Sequence, residues 1–450
     1  MIKSQFKMKI TNAWICRIID EKIEPVFGDL NIDGGRIISI EEKSFDPKNL
    51  NYSSAMSDDT LNAGGRVLTI PNINFHDHFY SRLAKGLQIN GPMDNFYNIL
   101  KSLWWKLDKL LTEEMIVASA QLGILDSIKN GVTYIFDHHS SPANTEGSLE
   151  AIADVFNQFG IRGVLCFETT DRNGHQLAED GLNENQNFLK NHVNENIKAL
   201  LGLHASFTVS DETLQKAAEL VKENDTGIHI HLCEDNIDRE LSQKNYNDLP
   251  LNRLIKYNLL NEKSILSHGI HLTKKEYDII AQHRSAIAFN PDSNMNNSVG
   301  LPDFNMISED VPLLMGTDGM HSNPAKSLKE FFLLLRHSGK SFDESFSRFQ
   351  KVYVNQLKFV KRFFPDFSQL NVNDRADMIV WDYTPPTPFT DDNFGGHFVY
   401  GILESRIRDV IHNGKVLMKN FELMFNADEY LSNIVKEGYK LYKKFNTDKL

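Results

Sequence analysis

Cysteine is scarce in this chain of 450 residues: only Cys16, Cys166 and Cys233, far apart and odd in number. They form neither a disulfide framework nor a zinc-finger spacing, so a reducing, cytoplasmic setting is expected. Long apolar runs are missing as well. No window approaches the roughly 20 apolar residues of a membrane span, and the opening "MIKSQFKMKI" lacks the apolar core of a signal peptide. Basic charge is in deficit, 48 Lys and Arg against 60 Asp and Glu for a net −12. That excludes nucleic acid and anionic membrane as default partners. No glycine-rich strand-to-helix turn offers a phosphate cradle, and neither repeats nor low-complexity tracts occur. What is there is ordinary globular material, 41% hydrophobic and 24% charged, long enough to bury a large core.

The first ~65 residues read as short strands and turns: "KITNAWICRI", "GDLNIDGGRIISIEE" and "AGGRVLTI", with Gly-Gly punctuation. After Ile70 apolar, β-rich runs alternate with helical stretches. The runs are "RVLTIPNIN", "GVTYIFDHH", "IRGVLCFE", "ALLGLHASF", "TGIHIHL", "KSILSHG", "SAIAFN" and "VPLLMGTDG". Between them lie segments such as "TEEMIVASAQLGILDSIKN", with Thr112 placed as N-cap. Strand–helix alternation implies a parallel sheet. Eight units imply an α/β fold built on a closed (β/α)8 barrel of the TIM type. β texture returns in "ADMIVWD" and "RDVIHNGKVLMKN", so both chain ends are expected to combine in a small composite β-sandwich. The expected boundaries are 1–66 and 372–424 for the sandwich, 67–371 for the barrel and 425–450 for a C-terminal helix.

In such a barrel, chemistry sits at the C-terminal ends of the strands. His76 and His78 close the first run, His229 and His231 lie in the fifth, His268 ends the sixth and Asp318 the eighth. Residues i and i+2 of an extended segment point the same way, so His76 and His78 can reach one ion. One His-x-His is a weak signal; agreement at four strand ends is a strong one. Three histidines and an aspartate suit zinc or ferrous iron.

These residues carry a family resemblance. "PNINFHDHFYSRLAKGL", "HIHLCE", "LSHG" and "GTDG" resemble the amidohydrolase superfamily, within it the cytosine-deaminase/chlorohydrolase-like branch. "FYSRLAKG", "LWWKLD", "DHHSSP", "TTDRNG" and "GLHASFTVSDETL" look closest to the SsnA-type aminohydrolases. The resemblance spans nearly the whole chain and implies the same barrel with a composite sandwich. It implies that His76, His78, His231 and Asp318 are the metal ligands, that Glu234 shuttles protons, and that His268 lies near the nucleophilic water or the substrate. In this reading Glu234, His268 and Asp318 are the catalytic residues. Glu234 sets the register that selects His231 over His229, which is left as a core histidine bonded to backbone. Two departures stand out: Pro71-Asn72 replaces the usual Pro-Gly, and Asp77 separates the first-strand histidines. Asp77 should point away from the metal and need a partner. The fourth run lacks the lysine that bridges two metals in binuclear members, so one divalent ion is expected, zinc before iron, with Glu168 as a conceivable bridge.

The implied function is a metal-dependent aminohydrolase (deaminase) that attacks a C–N bond of a small nitrogen heterocycle. Alternatives are a ring-opening cyclic-amide hydrolase of purine or pyrimidine breakdown, and a non-catalytic metal-containing binder. The expected partner is a small heterocycle, free bases or oxidised relatives before nucleotides, and a homodimer is compatible with all of this. Candidate substrate contacts are His139, Glu168, His204 and Arg82. The bland readings are a structural ring for His139 and a solvated helix residue for Arg82. Trp104 and Trp105 are read as packing, Ser293 and Asn294 as loop-ordering, and Cys166 and Cys233 as inert core residues.

Overall fold

A computed structural model describes residues 7–49 and 59–447. The chain divides into two compact units. One runs to residue 72 and adds 127–133 and 340–427; the other takes 73–126, 134–339 and the chain from 428.

The first unit is organised by one nine-stranded sheet drawn from both chain ends. Strands Lys7–Ile19 and Lys22–Asp33 pair antiparallel, followed by Arg36–Glu42. Positive φ at Asp20 and Glu21, and again at Gly34 and Gly35, gives two tight hairpins whose twist suits the flanking strands. From the other end come Met378–Trp381, Ile407–His412 and Lys415–Lys419. The join is Val67–Thr69, parallel to the first strand and antiparallel to Met378–Trp381. The run expected to open the barrel is therefore split. Pro71 has no N–H to continue a ladder, and a separate strand, Asn72–Asp77, starts beyond it.

The second unit carries the parallel strands. Asn72–Asp77, Val132–His139, Arg162–Phe167 and Ile197–Ala199 form one run. Leu201–Ala205, Ile228–Leu232, Ile265–His268, Ala286–Phe289 and Leu313–Met315 form the other. Two isolated parallel bridges join the runs, Thr169 to Leu203 and Asp77 to Asp318. Counting the consecutive Ile197–Ala199 and Leu201–Ala205 as one position, eight parallel strand positions follow one another, with a bridge at each junction of the two runs. Every residue of Val132–His139, Arg162–Phe167 and Ile228–Leu232 is buried, as a parallel sheet covered on both faces requires. Helices such as Glu113–Lys129 and Asp211–Glu223 return the chain between strands. Thr112 caps the first, its Oγ1 accepting from the Met115 N–H at 3.4 Å. Among the described residues no helix is long and apolar enough to cross a membrane.

Candidate active site

The strand ends meet in one cluster. His76 and His78 project from the same side of Asn72–Asp77, with ring centroids 4.7 Å apart. The His78 Nδ1–H donates to the His138 carbonyl at 2.6 Å, and the His231 Nδ1–H to the His204 carbonyl at 2.8 Å. Each bond places the proton on Nδ1 and leaves Nε2 as a lone pair. The two Nε2 atoms lie 3.1 Å apart, and Asp318 Oδ1 is 3.1 Å from His78 Nε2 and 3.8 Å from His76 Nε2. Two nitrogens bound to one zinc-sized ion at about 2.0–2.1 Å stand about 3.1–3.4 Å apart. His76 Nε2 is buried without a protein hydrogen-bond partner.

Electrostatics agrees with a cation at this point. Burial works against a charge on His78, but the hydrogen bond and charge of Asp318 outweigh it and push the imidazole up to about 9. Burial alone would raise the Asp318 carboxyl; His78, His268 and the Ser293 hydroxyl overcome it and hold Asp318 well below the usual carboxylate range. Burial keeps His76 and His231 neutral, as metal ligands must be. The donor set therefore fits one divalent ion held by His76, His78, His231 and Asp318. A second group, Glu168, His204 and His231, shares His231, whose single lone pair cannot serve two ions. His138 adds a third strand end: its ring nitrogens approach those of His76, His78 and His231 within 4.8 Å, and its ring stacks on His229 at 4.7 Å.

Glu234 stands beside this cluster. Three residues past His231, strand alternation alone would aim it to the other side. A left-handed Cys233, φ 48°, ends the strand and brings the carboxyl to 3.4 Å from His268 Nε2. His268 and Asp318 also have positive φ, 72° and 52°. Such conformations in non-glycine residues concentrate at functional sites. Burial, then the Asp318 and Asp238 charges, raise the Glu234 carboxyl well above its ordinary value. His268 Nδ1 meets Asn294 Oδ1 at 2.8 Å, so its Nε2 faces the site. Ser293 and Asn294 do more than order a loop: each hydrogen-bonds a site residue, Asp318 or His268.

The pocket in front of the cluster is lined by Tyr80, Trp104, Trp105, Glu168, Arg172 and His204, together with Glu234 and Asn297. Glu168 and His204, expected as substrate contacts, line the pocket. Two expected contacts do not. Arg82 is 1% exposed and bound to the fully buried Asp77, and it donates to the Gly319 and His321 carbonyls at 3.3 and 2.9 Å. It is neither a solvated helix residue nor a rim contact, because it is the partner Asp77 needed. Even so, burial outweighs Arg82 and pushes the Asp77 carboxyl up to about 6. His139 is buried behind Tyr80, its Nε2 2.8 Å from Ser141 Oγ, and does not line the pocket. His229 bonds side chains rather than backbone: its Nε2 is 2.9 Å from His76 Nδ1 and 3.1 Å from Ser267 Oγ, which orients a ligand. Trp104 and Trp105 pack and line the pocket at once, beside a π-helical turn, Leu100–Trp104, a feature frequent at functional sites. Tyr80 and Arg172 lie inside the motifs FYSRLAKG and TTDRNG, which by themselves assign them no contact, and Asn297 lies outside the quoted motifs.

Comparison with known proteins gives this geometry its family. The amidohydrolase family model matches residues 68–417. The chain belongs to the amidohydrolase family, and it is a hydrolase of C–N bonds. It is similar to a 5-methylthioadenosine/S-adenosylhomocysteine deaminase of Thermococcus onnurineus, 26% identical over 92% of this chain and 94% of that protein. A 5′-deoxyadenosine deaminase of Methanococcus aeolicus is 27% identical over 94% and 99%. Among solved structures, a zinc-bound adenosine deaminase of Xanthomonas campestris superposes with TM-score 0.78 at 17% identity, covering 97% of this chain and 100% of that one. Zinc-bound atrazine chlorohydrolase of Arthrobacter aurescens superposes with TM-score 0.77 at 16% identity, covering 96% and 100%. These last two likenesses establish the fold.

Proposed function

We propose that this protein is a zinc-dependent aminohydrolase that removes the exocyclic amino group of an adenosine-type purine. The observation that carries the reading is the convergence of His76, His78, His231 and Asp318, with the Glu234 carboxyl 3.4 Å from His268 Nε2 beside them. Zinc is favoured over iron by the donor set and by the zinc in the two similar structures. A divalent ion held there supplies Lewis acidity and brings the pKa of a water toward neutrality. Asp318, held ionised, accepts a proton from the attacking water. Glu234, held protonated by burial, delivers its proton to the ring nitrogen next to the carbon under attack; Asp318 passes the water's proton to the departing amine, and the hydroxyl proton of the tetrahedral intermediate returns to Glu234. His268 Nε2, with Nδ1 turned to Asn294, accepts a hydrogen bond from the water and orients it. Trp104 and Trp105 give a flat ring an apolar surface.

Nucleosides join the free bases as candidate substrates because the similar deaminases are named for adenosine-type compounds. The three cysteines are all free and buried, which supports a cytoplasmic setting. The test is ammonia release from metal-assayed protein across adenosine, 5′-deoxyadenosine, adenine, pyrimidines and hydantoins. Release from an aminopurine supports the reading. Ring opening of a hydantoin without ammonia would replace it with cyclic-amide hydrolysis.

A further inference from the structure

The side of the pocket away from the metal ligands has an unusual balance of charge. Arg172 is the only Lys or Arg among the described residues lining it, and it is already bound. One terminal nitrogen donates to Glu168 Oε1 at 3.0 Å; the other pairs with Asp108 and reaches Ser140 Oγ at 3.5 Å. All three charged groups are almost wholly buried. Two carboxylates, Glu168 and Asp108, thus share one guanidinium on this wall. A substrate carboxylate or phosphate at this wall would find Arg172 already taken up by Glu168 and Asp108, with no other Lys or Arg among the described lining residues to receive it.

His204 completes the wall. Its Nδ1 is 2.6 Å from Thr208 Oγ1, whose own hydroxyl donates to the Ala205 carbonyl at 3.0 Å. The threonine oxygen therefore accepts, Nδ1 carries the proton, and Nε2 presents a lone pair. Nε2 lies 3.8 Å from Glu168 Oε1, with the Trp105 ring centroid 6.1 Å from that of His204. Two acceptors thus stand side by side, with Trp105 in edge contact with the His204 ring.

We propose that Glu168 and His204 form an acceptor pair that reads two neighbouring hydrogen-bond donors on the substrate, and that the substrate carries no anionic group where it meets this wall. This rests on the aminohydrolase reading of the same site and narrows its substrate class. Two sources supply such donors: the vicinal hydroxyls of a sugar, or adjacent N–H groups of an aminated ring. Arg172 is held in place by Asp108 and in turn orients Glu168; it is a positioning residue, not an anion receptor.

The experiment measures equilibrium binding and kcat/KM for adenosine, 2′-deoxyadenosine, adenine and S-adenosylhomocysteine on the metal-loaded wild type and on Glu168→Gln. A variant of Arg172 would strand two buried carboxylates, whereas Glu168→Gln keeps shape and one acceptor. The wild type is expected to bind adenosine at least about tenfold better than the carboxylate-bearing compound. Loss of a charged hydrogen bond in Glu168→Gln should weaken adenosine binding about 10- to 100-fold and narrow that preference, with KM moving more than kcat. If sugar hydroxyls are the donors, 2′-deoxyadenosine loses a similar factor on the wild type and little more on the variant. If ring N–H groups are, adenine keeps pace with adenosine and the deoxy compound is unaffected. Preference for S-adenosylhomocysteine, no binding of any compound, or unchanged adenosine binding in Glu168→Gln overturns the proposal. Absence of ammonia from every compound defeats the aminohydrolase reading instead, and the wall is then judged on the binding ratios alone.

Discussion

The metal-facing half of the site and its substrate-facing half are built from different materials. The first comes from strand ends: His76, His231 and His268 lie within parallel strands, whose ladders cannot slip without turning side chains round, and His78 and Asp318 stand just beyond theirs. The second comes from irregular chain: a π-helical turn at Leu100–Trp104, a 3₁₀ turn at Asp171–Asn173 and the residues that follow strands. Chemistry that must not vary sits on the rigid scaffold, and recognition sits on segments that can be rebuilt without disturbing it. Glu168 marks the border, one residue past strand Arg162–Phe167 yet held by Arg172 from the turn.

The sharpest way to break this comparison is at the metal. Metal analysis should return about one equivalent of a divalent ion per chain, and Asp318→Ala should lose both metal and activity. Two equivalents, with Glu168 as bridge, would erase the border between the halves. Glu234→Gln comes next. It should keep metal and fold while turnover falls about 10²- to 10⁴-fold, the usual share of a general acid–base group. Because the Glu234 carboxyl is raised and acts in its protonated form, wild-type turnover should decline on the alkaline side as that proton is lost. A profile flat to high pH would remove Glu234 as the acid.

A third prediction separates support from chemistry. Arg82→Met leaves Asp77 buried without its cation, and breaking a buried pair costs about 3–5 kcal/mol. Denaturant unfolding should show that loss. The double change Asp77→Asn with Arg82→Met should recover part of it, and no recovery would mean that the Gly319 and His321 carbonyl bonds matter more than the ion pair. The smallest effect is expected at the aromatic wall. Trp104→Leu should raise KM about 2- to 10-fold, the worth of one aromatic contact, with kcat little changed. A large fall in kcat would place Trp104 on the reacting side.

Legibility in the sequence follows the same border. Strand–helix alternation and the His-x-His spacing are local, and period-two geometry turns such spacing directly into direction. That is why the sequence pattern and the family motifs it carries suffice to point to His76, His78, His231 and Asp318. Arg82 and His139 show the limit. A residue near a strand end has two sides to face, and only the packed neighbours, Asp77 for one and Tyr80 with Ser141 for the other, settle which. Trp104 and Trp105 show it again, since helical spacing reads as packing whether the ring meets core or pocket.

By itself the sequence determined the family, the order of strands and helices, and the residue types that can bind a divalent ion, because each depends on neighbours within a few positions. The tertiary structure decided the rest. Left-handed turns at Cys233, His268 and Asp318 re-aim side chains that strand alternation would send elsewhere. Carbonyls of His138 and His204 choose the tautomers of His78 and His231. Arg172 reaches 64 positions back to Asp108 to set the charge of the substrate wall. All three depend on groups far apart in the chain, and no local pattern encodes a distance across the barrel.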